Sequence, residues 1–435
     1  MKQNSFVKSN TNYHMCFTIL MALVWSDSIL LPFVRVFLMK IPYIWIHVDM
    51  AITILYVGIF FLAIAEVIRE LYVKDIVIIF GFCAVFGLHY LLFPLNKMYY
   101  EDNWERVLKE VFPMFLIGTT VYRINREQIL KILNTISLIT VFSYGVYMIV
   151  FRTINSKTLQ SGDMHSAYML LPHICLVFSS MLRKADLWRI VAFACGSVEL
   201  LFLGNRGSLL CLGVFVIFII LFSGRLKRPI LFLLMTTVFM LALFAFGLLD
   251  FLYDMAEKYG FSLRIFEKLE SGELTNSTGR DKIAGRVWEY VMMYPLMGMG
   301  IFSDRRVAGG FYAHNIALEF MIDFGIVVGL LLLAYVIYLY VKAFLYMRNN
   351  LGVETVGFYT AVFFAYVFKL LLSNSYLGEP YFFFTLGFAY AAIHESQRQR
   401  RKPDMQRGLR KPKERKDKGE QQTENLRNCD QFRLV

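Results

Sequence analysis

Residues 76–93 read IVIIFGFCAVFGLHYLLF, eighteen positions without a Lys, Arg, Asp or Glu. Residues 229–249 repeat the pattern as PILFLLMTTVFMLALFAFGLL. The hydrocarbon core of a bilayer is about 30 Å thick and takes about 20 apolar residues of helix to cross. The composition agrees with these runs: 57% of the 435 residues are hydrophobic, 16% aromatic and only 18% charged. A soluble domain is typically about 45–50% apolar and about 25% charged. The mean hydropathy is +0.52. The expected fold is therefore an all-α polytopic membrane protein.

Working outward from residues 76–93, apolar segments fall near 15–34, 48–65, 76–95, 107–122, 129–151, 167–182, 187–203, 208–223, 229–249, 314–341, 355–373 and 380–394. They predict about twelve transmembrane helices in a membrane domain over residues 1–394. One large loop, about 250–313, separates the ninth helix from the tenth. With the N-terminus in the cytoplasm, alternate short loops collect the basic residues: Arg69 and Lys74; Arg123, Arg126 and Lys131; Arg183, Lys184 and Arg189; Arg225, Lys227 and Arg228; Lys342 and Arg348. This is the asymmetry expected of inward loops. It places both termini in the cytoplasm and the large loop outside, together with the turn at Gly204–Ser208.

The net charge is +12, and half of it lies in residues 395–435, with thirteen basic and seven acidic residues. That tail is nearly devoid of large apolar side chains, so it is expected to be disordered and drawn to anionic headgroups. It has no interleaved aromatics of the kind that stack on nucleic acid, so no nucleic-acid partner is expected. The six cysteines lie mostly in apolar runs without metal-ligand spacing and read as small hydrophobes. The chain has no DxD pair, no HExxH and no phosphate-binding loop, so neither an ATPase nor a metal-dependent nucleotide-sugar enzyme is expected. No cofactor and no metal are implied.

Ionisable residues are expensive beside a bilayer core, and their clustering points to function. Residues 278–300 read TGRDKIAGRVWEYVMMYPLMGMG, and residues 313–333 read AHNIALEFMIDFGIVVGLLLL. The second run opens the tenth segment with His314, and helical spacing stacks Asn315, Glu319 and Asp323 on one face. A neutral imidazole there can accept a proton from a sugar hydroxyl or orient it; read alone, His314 is equally an interfacial residue at a helix start. Arg280 and Arg286 lie six apart and so not on one helical face. An arginine fork suits a phosphate, and a departing diphosphate needs its charge neutralised; two ordinary surface arginines are the plainer account. Arg206 sits between glycines in LGNRGS, where the backbone can bend sharply toward a ligand, or where a simple turn lets an arginine snorkel. His89 and His173 read as satisfied buried histidines.

In order along the chain, the Gly204–Gly207 turn, Gly279-Arg280 followed by Pro295-Leu296-Met297-Gly298-Met299-Gly300, the stretch His314-Asn315 to Leu318-Glu319, and the closing Gly325 resemble the O-antigen polymerase and O-antigen ligase superfamily. The resemblance spans roughly residues 196–333. It implies a membrane fold like that of the C-type glycosyltransferases in the bacterial cytoplasmic (inner) membrane, and metal-independent glycosyl transfer at its outer face. The implied partners are an undecaprenyl-diphosphate-linked glycan donor, a sugar acceptor, the lipid bilayer, and flippase and chain-length regulator proteins. By analogy Arg280 and Arg206 hold the diphosphate, assisted by Arg286. His314 activates or positions the acceptor hydroxyl, and Asn315 and Glu319 orient it. The leading expectation is a polymerase of repeat units for capsule, exopolysaccharide or O-antigen. The alternatives are a ligase moving finished glycan to another acceptor, and a transporter or flippase of lipid-linked oligosaccharide. A transporter is expected to show internal repeats and charges near the midplane; this chain gathers its polar groups at one surface.

Overall fold

The structure, a computed structural model, describes residues 3–26, 48–124, 126–152, 163–203, 205–222 and 279–398. The expected segment at 229–249, residues 250–278 of the large loop and the tail beyond residue 398 lie outside the described residues. Among the described residues every regular element is helical. The elements are α1 (Gln3–Ser26), α2 (Val48–Arg69), α3 (Val73–Leu92), α4 (Lys97–Arg106), α5 (Phe112–Arg123), α6 (Arg126–Arg152), α7 (Asp163–Arg183), α8 (Leu187–Phe202) and α9 (Arg206–Phe222). After the large loop come α10 (Arg280–Met293), α11 (Ser303–Val307), α12 (Ile316–Phe324), α13 (Ile326–Asn350) and α14 (Val353–Val362). A last helix, α15, covers residues 380–398.

Five stretches among the described residues are long and apolar enough to cross a bilayer: Val73–Leu92, Arg126–Met148, His165–Arg183, Ile326–Asn350 and Val353–Leu371. Met15–Ser26 and Arg206–Phe222 are apolar but shorter. Helices dominate because hydrocarbon offers the backbone no hydrogen-bond partner, and a helix satisfies its own amides. Burial sorts the spans. Only 6% of the Val73–Leu92 window is buried, against 67% for His165–Arg183 and 72% for Val353–Leu371. The first faces outward; the other two form the centre. Trp25 locks α1 to that centre, donating from Nε1 to Ser137 Oγ at 2.9 Å and lying edge-on to His173 at 5.3 Å. Ser137 Oγ also pairs with His173 Nδ1 at 3.1 Å, so His173 is satisfied within the core.

Three expected segments are not single α-helices; one of them, 355–373, passes from α through π to 3-10 geometry. Over 107–122 the chain turns through π geometry at Val107–Val111 before α5. Pro113 has no N–H to offer and its ring crowds the preceding turn, and the wider turn accommodates it. Over 314–341 the run breaks at Gly325 (φ 83°) into α12 and α13. Hydropathy does not reveal this break, because both halves are apolar.

The loops at the two ends of the bundle differ in character. At one end Arg123 grips Asp75 at 2.5 and 2.9 Å, Arg126 meets Glu395 at 3.6 Å, Arg183 pairs with Glu354 and Arg189 with Asp186. Glu70, Tyr72, Arg123 and Ile124 border one cavity with His394, Glu395 and Arg398 at the end of α15, and Arg183, Lys184 and Arg189 border another with the start of α14. At the other end Asn96 donates to the carbonyls of Met299 and Ile301 at 2.8 and 3.1 Å. There His89 Nδ1 accepts from Ile301 N–H at 3.3 Å, and Arg106 reaches Gly378 O at 2.9 Å. The candidate residues gather at this second end.

Candidate functional site

The frame of the site is α10 packed on α12 through Val287, Val291, Met321 and Ile322. Residues 295–300, the PLMGMG stretch, then run across the C-terminal end of α12 as a backbone clamp. Met299 N–H donates to Ile322 O at 2.7 Å, Gly300 N–H to Asp323 O at 3.1 Å, and Ile326 N–H to Pro295 O at 2.7 Å. Such contact leaves no room for side chains. A Cβ on Gly298 would stand 2.5 Å from Gly325 N, and one on Gly325 would overlap Leu296 O. Both glycines have φ in the left-handed region, 67° and 83°, which costs glycine little. The glycines of this motif therefore act by holding α12, and with it His314, in place.

Beneath the clamp lies a buried polar cluster. Asp304 accepts from the amides of Arg305 and Ala313, both at 2.9 Å. Glu319 accepts from Ser375 Oγ and from Tyr376 N–H at 3.1 Å, and Tyr376 donates its hydroxyl to Asp323 Oδ2 at 3.1 Å. Arg305 is the cation beside them, 3.6 Å from Asp304 Oδ1, and it donates to Ser375 Oγ at 3.3 Å. Burial pushes all three carboxyls above their usual range, and the nearby Asp304 carboxyl raises Glu319 and Asp323 further. Their role here is to fix the 373–379 loop. Glu319, expected to meet the acceptor, is fully engaged with that loop.

The loop continues the Val353–Leu371 stretch, which passes through a π turn at Phe363–Val367 and ends as 3-10 helix at Leu371. The last carbonyls of a helix have no partner within it. Two candidate residues take them up. Asn315 Nδ2 donates to Leu371 O at 3.2 Å, and Arg280 Nη1 donates to Leu372 O at 3.0 Å. Asn315 also caps α12, its Oδ1 accepting from Ala317 and Leu318 amides at 2.9 and 3.3 Å. One helix end thus draws together Arg280 and Asn315, thirty-five residues apart in the chain, with a favourable placement of a cation at the negative pole of the helix.

His314 directly precedes Asn315 and lies within electrostatic reach of Arg280. Its φ is 58°, a conformation uncommon for a residue with a Cβ and one that persists where the surroundings enforce it. The ring packs on Tyr312 at 4.2 Å between centroids. Its Nδ1 is buried and has no hydrogen-bond partner among the described residues. Burial first, and then the Arg280 charge, lower its basicity to a pKa of about 4, so the imidazole is neutral at physiological pH.

Two groups that sequence reading missed complete the surroundings. Tyr168 of α7 puts its hydroxyl against Gly207, where a Cβ would overlap it, and within electrostatic reach of Arg280. It joins the Asn205–Ser208 turn to the Arg280 region. That turn is itself capped by Asn205 Oδ1, which accepts from Gly207 N–H at 2.9 Å, and Arg206 opens α9 beside it. Lys369 stacks 5.0 Å above the Tyr168 ring and pairs with Glu379. A single tyrosine in an apolar run gives no sequence signal, whereas Lys369, an ionisable residue inside the 355–373 segment, is itself the kind of signal that could have found it. Arg286, in contrast, lies on the exposed face of α10, away from the Val287 and Val291 packing side.

Residues 191–334 match the family model described as O-antigen ligase. The match covers about a third of the chain and includes Arg206, Arg280, Arg286, His314, Asn315 and Glu319; Tyr168, Lys369 and the 373–379 loop lie outside it. Comparison with curated proteins finds no match.

Proposed function

With residues 191–334 placed in the O-antigen ligase and polymerase superfamily, we propose that the chain transfers a glycan from undecaprenyl diphosphate to a sugar hydroxyl, as the polymerase that joins lipid-linked repeat units into a surface polysaccharide. The observation that carries this reading is the meeting of His314, with its buried and unpartnered Nδ1, and the Arg280 guanidinium at the mouth of the bundle. The neutral imidazole accepts the proton of the attacking hydroxyl. The hydroxyl oxygen forms the new bond to the anomeric carbon as the bond to the diphosphate oxygen breaks. Arg280 and Arg206 neutralise the departing diphosphate, and Arg286 assists from the exposed face of α10. Asn315 and Glu319 are positioning residues. Asn315 caps the helix that His314 precedes, and Glu319 holds the 373–379 loop, which follows directly on the Leu371 and Leu372 carbonyls that receive Asn315 and Arg280.

The description of the family model favours a second reading, a ligase that moves finished glycan to another acceptor. One experiment separates the two: the lipid-linked glycan profile of a deletion strain complemented with wild type or with His314→Ala. A polymerase leaves single repeat units on the lipid carrier in both the deletion and the variant. Accumulated long lipid-linked polymer would identify a ligase, and an unchanged profile would overturn glycosyl transfer altogether.

A further inference from the structure

At the opposite end of the bundle from His314, α6, α7, the start of α8 and the start of α14 enclose a cavity of about 270 Å³. Two of its walls carry the same order of chemistry. On α6, Lys131 stands at the rim, Asn134 and Thr135 follow, and Leu138 forms the floor. On α7, Arg183 stands at the rim, Ser180 and Ser179 follow, and Leu176 forms the floor. In each helix rim and floor are seven residues apart, or roughly 10 Å at 1.5 Å per residue. That depth takes the cavity from the headgroup layer into the hydrocarbon. Lys184 and Arg189 add to the rim, and Glu354 is the carboxylate there, so the lining has a formal excess of three positive charges.

Some of this charge is already matched within the protein. Arg183 pairs with Glu354 and Arg189 with Asp186. Lys131 and Lys184 have no ion-pair partner among the described residues, and both are exposed at the rim. Below them, Asn134 lines the cavity, and its buried Oδ1 has no hydrogen-bond partner among the described residues. A buried polar atom is normally satisfied; this one is an acceptor and calls for a hydroxyl or N–H donor. An ammonium pair above, an unsatisfied amide halfway down and an aliphatic floor do not suit a small aqueous anion. They match a molecule with an anionic head, a hydroxyl donor and a hydrocarbon tail.

We infer that this cavity binds one anionic phospholipid with a glycerol headgroup, its phosphate at Lys131 and Lys184, a headgroup hydroxyl donating to Asn134 Oδ1 and its acyl chain entering over Leu138 and Leu176. The site is independent of the glycosyl-transfer reading, since no residue of it belongs to the His314 cluster.

The test uses the full chain purified in detergent and examined by native mass spectrometry with added phosphatidylglycerol, phosphatidylcholine or inorganic phosphate. Wild type should retain one phosphatidylglycerol in preference to phosphatidylcholine. The K131A/K184A variant should bind phosphatidylglycerol about thirtyfold more weakly, at about 1 kcal/mol for each lysine near a headgroup, with its melting temperature in phosphatidylcholine unchanged. N134L, which removes the amide without touching charge, should weaken the same lipid while leaving phosphatidylcholine binding as it was. Equal retention of the two lipids by wild type would overturn the inference, as would undiminished phosphatidylglycerol binding in K131A/K184A. Competition by inorganic phosphate at the lipid's own concentration would also overturn it, by showing a site for a free anion.

Discussion

At the end of the bundle built from residues 69–75, 123–126, 183–189 and 350–354, arginines meet carboxylates. Arg123 holds Asp75 through two contacts, and Arg183 and Arg189 pair with Glu354 and Asp186. At the other end, Asp304, Glu319 and Asp323 crowd around Arg305 and are satisfied by amides and hydroxyls, while Arg280 and Asn315 reach backbone carbonyls. Charge pairs of the first kind satisfy a topological need, because each loop has only to stay on its side. Bonds to backbone atoms, whose positions the fold fixes, hold a side chain in one place and orientation. Arg123 makes one such bond too, to Glu70 O at 2.7 Å, but at the second end they hold the candidate residues themselves.

The largest effect is expected where the first pattern is broken in a buried setting. Arg123→Ala strands Asp75, which is fully buried, and removing one partner of a buried pair costs about 3–5 kcal/mol. Thermal denaturation of the purified protein should show the loss, and an unchanged melting temperature would mean that the pair is not what holds this end. At the other end the loss should fall on activity. Arg280→Ala should slow transfer by about 10²–10³, the usual cost of removing one group that stabilises developing charge. Arg280→Lys should not restore it, because the ammonium lacks the fork; full rescue by Lys would reduce Arg280 to a point charge.

A smaller effect concerns pH. A histidine of ordinary basicity would lose its neutral form below about 6.5. With His314 lowered to a pKa of about 4, the neutral form persists as the pH falls through 6, and the acid limb of the pH–rate profile should lie near 4. An acid limb near 6.5 that disappears in a His314 variant would show that burial does not govern this ring. The smallest effect should follow truncation after Gln399. The last described residues, Glu395 and Arg398, lie at the basic end, so catalysis should survive; complete loss at normal membrane levels would contradict the separation of the two ends.

Much of the site was legible because polar residues stood where hydropathy forbids them. Arg280, His314 and Asn315 converge in space, and each broke an apolar or amphipathic pattern. Glu319 and Asp323 shared that signal, yet they anchor the 373–379 loop, and only the partners reveal the difference. Gly298 and Gly325 belonged to a motif for a reason invisible in one dimension: two stretches of backbone touch there. The break at Gly325 has apolar sequence on both sides, so hydropathy joins what the backbone divides. Tyr168 was hidden for the opposite reason, as one hydroxyl in an apolar helix, more than a hundred residues before Arg280. The expected twelve spans followed from apolar length; among the described residues five stretches reach the length to cross, and two apolar ones, Met15–Ser26 and Arg206–Phe222, are shorter.

The docking of Arg280 and Asn315 on the carbonyls of Leu372 and Leu371 also sets an order of events in biosynthesis. Arg280 and His314 leave the ribosome well before Leu371, and until the helix ending there has entered the membrane neither Arg280 nor Asn315 has its seat. The candidate site is therefore assembled late, and a chain interrupted before residue 371 carries the motif without its seat. On the proposed function, a nascent or broken copy is expected to transfer no glycan.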